Sequence, residues 1–358
     1  MMSVRRDSWG EAEGEREEER AIPAEDATVV IPVFAEGSFY GDRFRIERLL
    51  ARGGMGAVYQ ATDLRLGTSV ALKVLRRSSG KRDPELVARF EREIQILEGL
   101  EHPGIVSIHG SGVGTDGTPW LAMELLEGQT LREFVQQGGP LSLGQLVPIA
   151  NAACQALQVA HEHGVVHRDL KPDNIFLPKA GGVRLLDFGL SVHADNTRLT
   201  GTGAIIGTPR YMSPEQIASA RSADARTDIY AMGVILFEAL AGCSPFTASD
   251  HGQLLGAILQ GRREQLMTLR PELPSAVDRV LAKAMDRDPL ARHGTALGLA
   301  EAFHRAAFDE GSSRPPLGSA AAPLRGSGKG RSPQLVWLVL LMLLGLATGA
   351  FGAYLLTR

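Results

Sequence analysis

Two short polar motifs constrain this chain more than any other feature. His167-Arg168-Asp169-Leu170-Lys171-Pro172-Asp173-Asn174 is followed, 13 residues after Asn174, by the first residue of Asp187-Phe188-Gly189. A strand-like run separates them. The first motif puts a carboxylate, an ammonium and an amide on one loop, and the second adds another carboxylate. Phosphoryl transfer needs such a set: a group that orients a hydroxyl, a cation for the moving phosphate, and oxygen ligands for Mg²⁺. Either motif alone is a weak signal; together, in this order, they are specific.

The chain has 358 residues, 44% of them hydrophobic, enough to bury one large core or two smaller ones. Its net charge of −3 gives no basic excess, which argues against a nucleic-acid partner. The only cysteines are Cys154 and Cys243. They form neither a disulfide framework nor a zinc site, and are expected to be small buried hydrophobes.

Residues 1–43 are polar and acidic, with the run Glu11-Ala12-Glu13-Gly14-Glu15-Arg16-Glu17-Glu18-Glu19-Arg20. Such a segment buries too little apolar surface to offset its ordering entropy, so it reads as a disordered tail. It has no apolar stretch of the kind a signal peptide carries. Residues 44–125 read mainly as short β segments, including 44–51, 57–61 and 69–75. One helix interrupts them after Asp83-Pro84, with Leu86, Phe90, Ile94 and Leu97 at helical spacing. Residues 126–308 read as mainly helical, notably 143–163 and 228–241. The expected fold class is therefore α+β: a small β-rich lobe, then a large helical lobe, with a ligand cleft between them.

Ala51-Arg52-Gly53-Gly54-Met55-Gly56-Ala57-Val58 lies between two strand-like runs. Its glycines let backbone N–H groups approach phosphates, although Ala51 stands at the first glycine position of a GxGxxG pattern. A Walker A loop would end in Gly-Lys-Ser/Thr, which is missing here, and a dinucleotide fold would continue into a helix rather than a strand. A plain hairpin turn is the structural alternative. Lys73 sits inside the apolar strand Val70-Ala71-Leu72-Lys73-Val74, where a lysine is costly unless paired. Glu93 shares a helix face with Phe90 and Leu97, which makes it the expected partner. The alternative is a snorkelling lysine with a solvated glutamate.

With these motifs in this order, residues 44–308 resemble the protein kinase catalytic domain. The resemblance is nearest to bacterial membrane-anchored serine/threonine kinases whose loop reads Gly53-Gly54-Met55-Gly56. It implies a bilobal kinase fold, with lobes at 44–125 and 126–308. It also implies ATP and Mg²⁺ (or Mn²⁺) as cofactors and Ser/Thr-bearing proteins as substrates. Asp169 would orient the substrate hydroxyl and accept its proton, Lys171 would neutralise the γ-phosphate, and Lys73 with Glu93 would hold the α- and β-phosphates. Asn174 and Asp187 would be the metal ligands. Leu50 to Val58 would cover the nucleotide. Met123 would be the gatekeeper, with Glu124 and Leu126 offering backbone groups to adenine. Ala71 and Val58 would form the adenine pocket's roof and Phe176 its floor.

Asp169-Leu170-Lys171-Pro172 resembles the serine/threonine form of the loop. Residues 207–215 resemble the substrate-receiving segment, in which Thr208 would brace the catalytic loop and Ser213, where alanine is commoner, would have little effect. Glu215 is expected to pair with Arg292, and Asp228 to anchor the catalytic-loop backbone. In the family the arginine at Arg168 pairs with a phosphorylated residue of the activation loop. Thr197, Thr200 and Thr202 are the candidates for autophosphorylation there, Thr200 and Thr202 ahead of Thr197.

Residues 309–334 read as a flexible Gly/Ser/Pro/Ala-rich linker reaching roughly 28 Å. Residues 335–356 carry no charge and as a helix would span roughly 33 Å, against about 30 Å of hydrocarbon. That predicts a transmembrane helix. Arg325, Lys329 and Arg331 place its leading side in the cytoplasm, as a single-pass inner-membrane protein with a cytoplasmic kinase domain. With only Thr357 and Arg358 beyond the span, no extracellular sensor domain is expected. Gly345 and Gly349 form a GxxxG pattern compatible with a homodimer. Two rival readings stand beside an active kinase: a pseudokinase scaffold, and a kinase-like enzyme acting on small molecules.

Overall fold

The computed structural model describes residues 34–53, 56–75, 94–95, 97–115, 117–188, 209–219 and 223–308. A six-stranded antiparallel sheet builds the first lobe, in the order β1-β2-β3-β4-β6-β5. Its strands are β1 (Phe39–Tyr40), β2 (Phe44–Gly53), β3 (Gly56–Asp63), β4 (Thr68–Leu75), β5 (Ile108–Val113) and β6 (Pro119–Glu124). Alternation sets the register of β3 and β4. Ala57, Tyr59 and Ala61 face a core formed with Phe44, Ile46, Leu72 and Val74.

Part of the expected acidic tail is ordered. Phe34 packs edge-on against Tyr40 and Tyr59, at 5.1 and 5.5 Å between ring centroids, and β1 pairs with β2. The acidic composition of residues 1–33 concealed these aromatic contacts. At the β3–β4 turn, the buried Asp63 accepts from Arg43 and from the backbone N–H groups of Arg65 and Leu66.

The chain leaves the sheet at Glu124 and enters the second lobe through β7 (Gly128–Thr130). This strand belongs to a small sheet with β8 (Ile175–Pro178) and β9 (Arg184–Leu185). Helices follow: α1 (Leu131–Gly138), α2 (Leu143–Glu162), α3 (Pro214–Ala218), α4 (Ala225–Ala241), α5 (His251–Gln260), α6 (Leu266–Leu269), α7 (Ser275–Ala284) and α8 (Ala296–Phe308). Thr130 with Glu133, and Ser142 with Gln145, form capping boxes that start α1 and α2. α4 is apolar all round, so it becomes the centre of the large core, packed by α2, α7 and α8. Gly242, at φ 75°, ends it in the left-handed conformation that glycine adopts without strain.

Cys154 is buried on α2, and burial pushes its thiol up to about 12. Cys243 departs from the expectation. It follows the glycine that ends α4 and is exposed, because the chain there has already left the core. Among the described residues no helix is long and apolar enough to cross a membrane. Residues 335–356, the linker and the Gly345/Gly349 pattern lie outside the described residues.

Candidate active site

β4, the loop through Asn174 and the segment after β9 bring the polar motifs to the cleft between the lobes. β4 presents Lys73, which is 7% exposed at its side chain and whose Nζ lies 2.7 Å from Asp187 Oδ1 across the cleft. The single turn Pro172–Asn174 and the loop before it present Asp169, Lys171 and Asn174. Lys171 Nζ donates to Asp169 Oδ2 at 2.7 Å, and Asn174 Nδ2 donates to the Asp169 carbonyl at 2.7 Å. Burial raises the Asp187 carboxyl, but Lys73 outweighs that, with further help from His167 and Lys171, so it stays below its ordinary value. The groups widely separated in sequence therefore share one electrostatic environment. Glu93, the expected partner of Lys73, lies outside the described residues; in its described surroundings Lys73 pairs with Asp187.

The loop itself is fixed from below. Asp228, fully buried in the first turn of α4, accepts from His167 N at 2.8 Å and Arg168 N at 2.9 Å, and contacts His161 Nε2 at 2.7 Å. Asp228 thus anchors the catalytic-loop backbone as expected. Arg168 and Asp187 have φ of 63° and 57°, the only non-glycine positive values among the described residues. Phe188 is buried against the His167 ring, at 4.7 Å between centroids. Glu215 and Arg292 form the expected pair through two hydrogen bonds of 2.7 Å. Thr197, Thr200, Thr202 and Thr208 lie outside the described residues.

The strands on either side of the glycine segment pair antiparallel. Gly53 pairs with Gly56 across β2 and β3, with Gly54 and Met55 outside the described residues. Gly56 cannot be another residue without rearrangement, since a Cβ there would lie 2.1 Å from the Val74 carbonyl oxygen. The strand that follows excludes a dinucleotide fold. Leu50, Ala51, Arg52 and Gly53 are exposed along β2, while Ala57 is buried in the lobe core. Val58, Ala71, Met123 and Leu126 meet in one apolar cluster that lines the cleft. Phe176 is half-buried on β8, beside Gly128.

Several participants were missed by sequence reasoning. Val106, Leu125 and Leu186 complete the apolar cluster. Behind Met123, a small cavity is lined by Leu97, Val106, Leu121, Asp187 and Phe188. Ser213 is buried; its N–H and hydroxyl donate to Gln216 Oε1, and Gln216 Nε2 donates to the Arg168 carbonyl at 2.8 Å. It therefore has a tie to the catalytic loop that the sequence did not suggest. Arg132 of α1 bonds Glu238 of α4 at 2.7 Å, the Tyr211 hydroxyl, and Asp173 at 3.4 Å. This network joins the catalytic loop to the turn Pro209–Tyr211. A wider groove between β7, α1, α2 and β8 contains none of the cleft residues named above.

The sequence matches the protein kinase domain family over residues 44–304. The chain belongs to the protein kinase family. The kinase domain is 39% identical over 254 residues to the probable serine/threonine-protein kinase PknB of Lactococcus lactis subsp. lactis, covering 70% of this chain and 40% of that protein. It is 36% identical over 273 residues to the serine/threonine-protein kinase PrkC of Bacillus subtilis, covering 76% of this chain and 42% of PrkC. Against the serine/threonine-protein kinase PknA of Mycobacterium tuberculosis the identity is 38%, covering 78% of this chain and 64% of that one. The chain therefore spans about two fifths of the PknB and PrkC relatives, and these matches concern the kinase domain. Among solved structures, the Mycobacterium tuberculosis PknI kinase domain superposes with a TM-score of 0.62 at 27% identity, covering 77% of this chain and 100% of that one.

The kinase site's donors fit a hard divalent cation. Asn174 uses its amide nitrogen on Asp169 and so keeps its oxygen as a donor, and Asp187 is held ionised. Among the described residues no three His, Cys, Asp or Glu side chains form a metal cage of their own. Mg²⁺ suits such a sparse site, because it keeps waters and takes substrate phosphate oxygens beside one or two protein ligands.

Proposed function

We propose that this chain is an ATP-dependent protein serine/threonine kinase, with Lys73, Asp169, Lys171, Asn174 and Asp187 as its working groups. The observation that carries the reading is their convergence: Lys73 on Asp187 at 2.7 Å, Lys171 on Asp169 at 2.7 Å, and Asn174 on the same loop. The relatives' own designation as serine/threonine-protein kinases supports the serine/threonine assignment.

In the proposed reaction the substrate hydroxyl is oriented by Asp169, which accepts its proton as the new O–P bond forms. The bond from the γ-phosphorus to the bridging oxygen breaks, and ADP leaves. Lys171 neutralises charge on the moving phosphoryl group, and Lys73 holds the α- and β-phosphates. Val58, Ala71, Met123, Leu126 and Phe176 enclose the adenine, with the 50–58 segment over the phosphates. Asn174 and Asp187 would hold Mg²⁺ (or Mn²⁺), which supplies charge neutralisation and alignment of the phosphates. The pseudokinase alternative is disfavoured by the presence of Lys73, Asp169, Asn174 and Asp187.

The test is transfer of labelled γ-phosphate from ATP to myelin basic protein, with and without Mg²⁺, followed by phosphosite mapping of both proteins. Metal-dependent label on serine or threonine is expected, together with autophosphorylation at Thr200 or Thr202. No incorporation defeats the enzyme reading, and an active chain with unmodified Thr197, Thr200 and Thr202 defeats the loop-phosphorylation part.

We also propose that residues 335–356 anchor the kinase in the inner membrane, with its lobes cytoplasmic. The uncharged length and the basic residues before it support this. Cell fractionation should recover the full chain in membranes and a chain ending at residue 334 in the soluble fraction. Identical fractionation of the two would remove the anchor.

A further inference from the structure

The chain crosses between lobes at Glu124, the last residue of β6. Its own N–H donates to the Ser107 carbonyl at 2.9 Å, and its carboxylate Oε1 accepts from Ser107 N at 2.9 Å. The same oxygen accepts from Arg184 Nε at 3.3 Å. Arg184 belongs to β9, in the other lobe. Its Nη1 donates to the Pro103 carbonyl and, at 3.3 Å, to that of Val183.

The surrounding backbone is knitted to match. Leu185 N donates to the Gly104 carbonyl at 2.8 Å, and Val106 N donates to the Leu185 carbonyl at 3.1 Å, forming a parallel bridge between Ile105 and Leu185. One guanidinium therefore clamps three strands of chain: the 103–107 segment, the end of β6, and β9. Both side chains of the pair are about a quarter exposed, at 26% for Arg184 and 24% for Glu124. Arg184 also sits opposite Phe176 in the β8–β9 register, behind the proposed adenine floor.

We infer that Arg184 is a positioning residue for adenine recognition, acting through Glu124. This rests on the kinase reading. Adenine offers one donor and one acceptor along its edge, and hydrogen bonds to a backbone weaken steeply when angle or distance drifts. A planar guanidinium with several donors can hold a carboxylate and a carbonyl at fixed spacing, which a flexible ammonium does less well. Arg184 holds the Glu124 segment at a fixed height between the lobes. Its contribution falls on the base, not on the phosphates, which Lys73 and Lys171 handle from other elements.

The test uses purified full-length chain and measures binding of adenosine, ADP and ATP together with steady-state kinetics. Arg184→Met should weaken all three ligands by the same factor, roughly threefold to thirtyfold. KM for ATP should rise by that factor, with kcat unchanged. Arg184→Lys should recover part of the loss. Combining Arg184→Met with Glu124→Gln should add little to either change alone.

Unchanged adenosine affinity in Arg184→Met overturns the inference, as does a loss confined to kcat or full additivity in the double variant. If Arg184→Met does not fold, Arg184→Lys and Glu124→Gln carry the same comparison, and wild-type adenosine affinity in both overturns it. A wild-type chain that binds no adenine nucleotide overturns the kinase reading and this inference together. A wild type that binds ATP while the variants bind it equally well overturns this inference alone.

Discussion

Asp169→Asn is expected to lower phosphoryl transfer by roughly two to four orders of magnitude, the usual worth of a positioned general base. The amide can still accept from Lys171, so the loop keeps its shape, but it cannot take the hydroxyl proton. Lys73, Asp187 and the apolar cluster lie on other elements, so KM for ATP should change little. Steady-state transfer to a protein substrate at saturating ATP measures the effect. A variant that keeps more than about a tenth of wild-type kcat would sink the assigned role.

Glu215→Ala should produce the largest stability loss. The Arg292 side chain is fully buried and Glu215 is 13% exposed. Arg292 also donates to the carbonyls of Arg226 and Asp286 and stacks over Tyr230. Removing the carboxylate strands a buried guanidinium, which costs about 3–5 kcal/mol. In a domain of this size the melting temperature should fall by about 10 °C. Replacing both partners by apolar residues of similar volume should recover most of that loss, because no unpaired charge remains. Equal melting temperatures for the single and double variants would refute the mechanism.

The pair also sets a pH dependence. Burial pushes the Glu215 carboxyl up, but its bonds with Arg292 more than compensate, so the folded value lies below the unfolded one. Its contribution is therefore complete above the ordinary carboxylate range, near pH 4, and is lost as pH falls through the lowered folded value. Asp63, held by Arg43 and two backbone N–H groups, shifts in the same direction. Acid melting curves of wild type and Glu215→Ala should converge at low pH.

The candidate site was legible in the sequence because its groups come in short, ordered motifs: Asp169, Lys171 and Asn174 on one loop, and Asp187 after the two strands β8 and β9. The Glu215–Arg292 pair was legible for the same reason, since each partner lies in a recognisable local pattern. Residues whose roles depend on distant pairing were not legible. Val106 and Leu186 reach the apolar cluster because the 103–107 segment bridges to β9, and nothing local to either residue marks that contact. Arg184 looks like an ordinary strand cation until Glu124 and Pro103 are placed beside it. Ser213 read as idle because its tie to the Arg168 carbonyl runs through Gln216, and only the folded loop brings that carbonyl there. Cys243 was misjudged because its apolar neighbours in sequence belong to a helix that has already ended.

The left-handed backbone at Arg168 and Asp187 has a practical consequence for engineering. Holding a residue with a side chain there costs about 1–2 kcal/mol each, which glycine would relieve. A selection that rewards only heat resistance will therefore drift toward glycine at Arg168, whereas at Asp187 the relief is outweighed by stranding the buried Lys73. It will enrich robust chains that have discarded the guanidinium beside Asp169. Any thermostabilised variant should keep both residues fixed and seek its gains elsewhere.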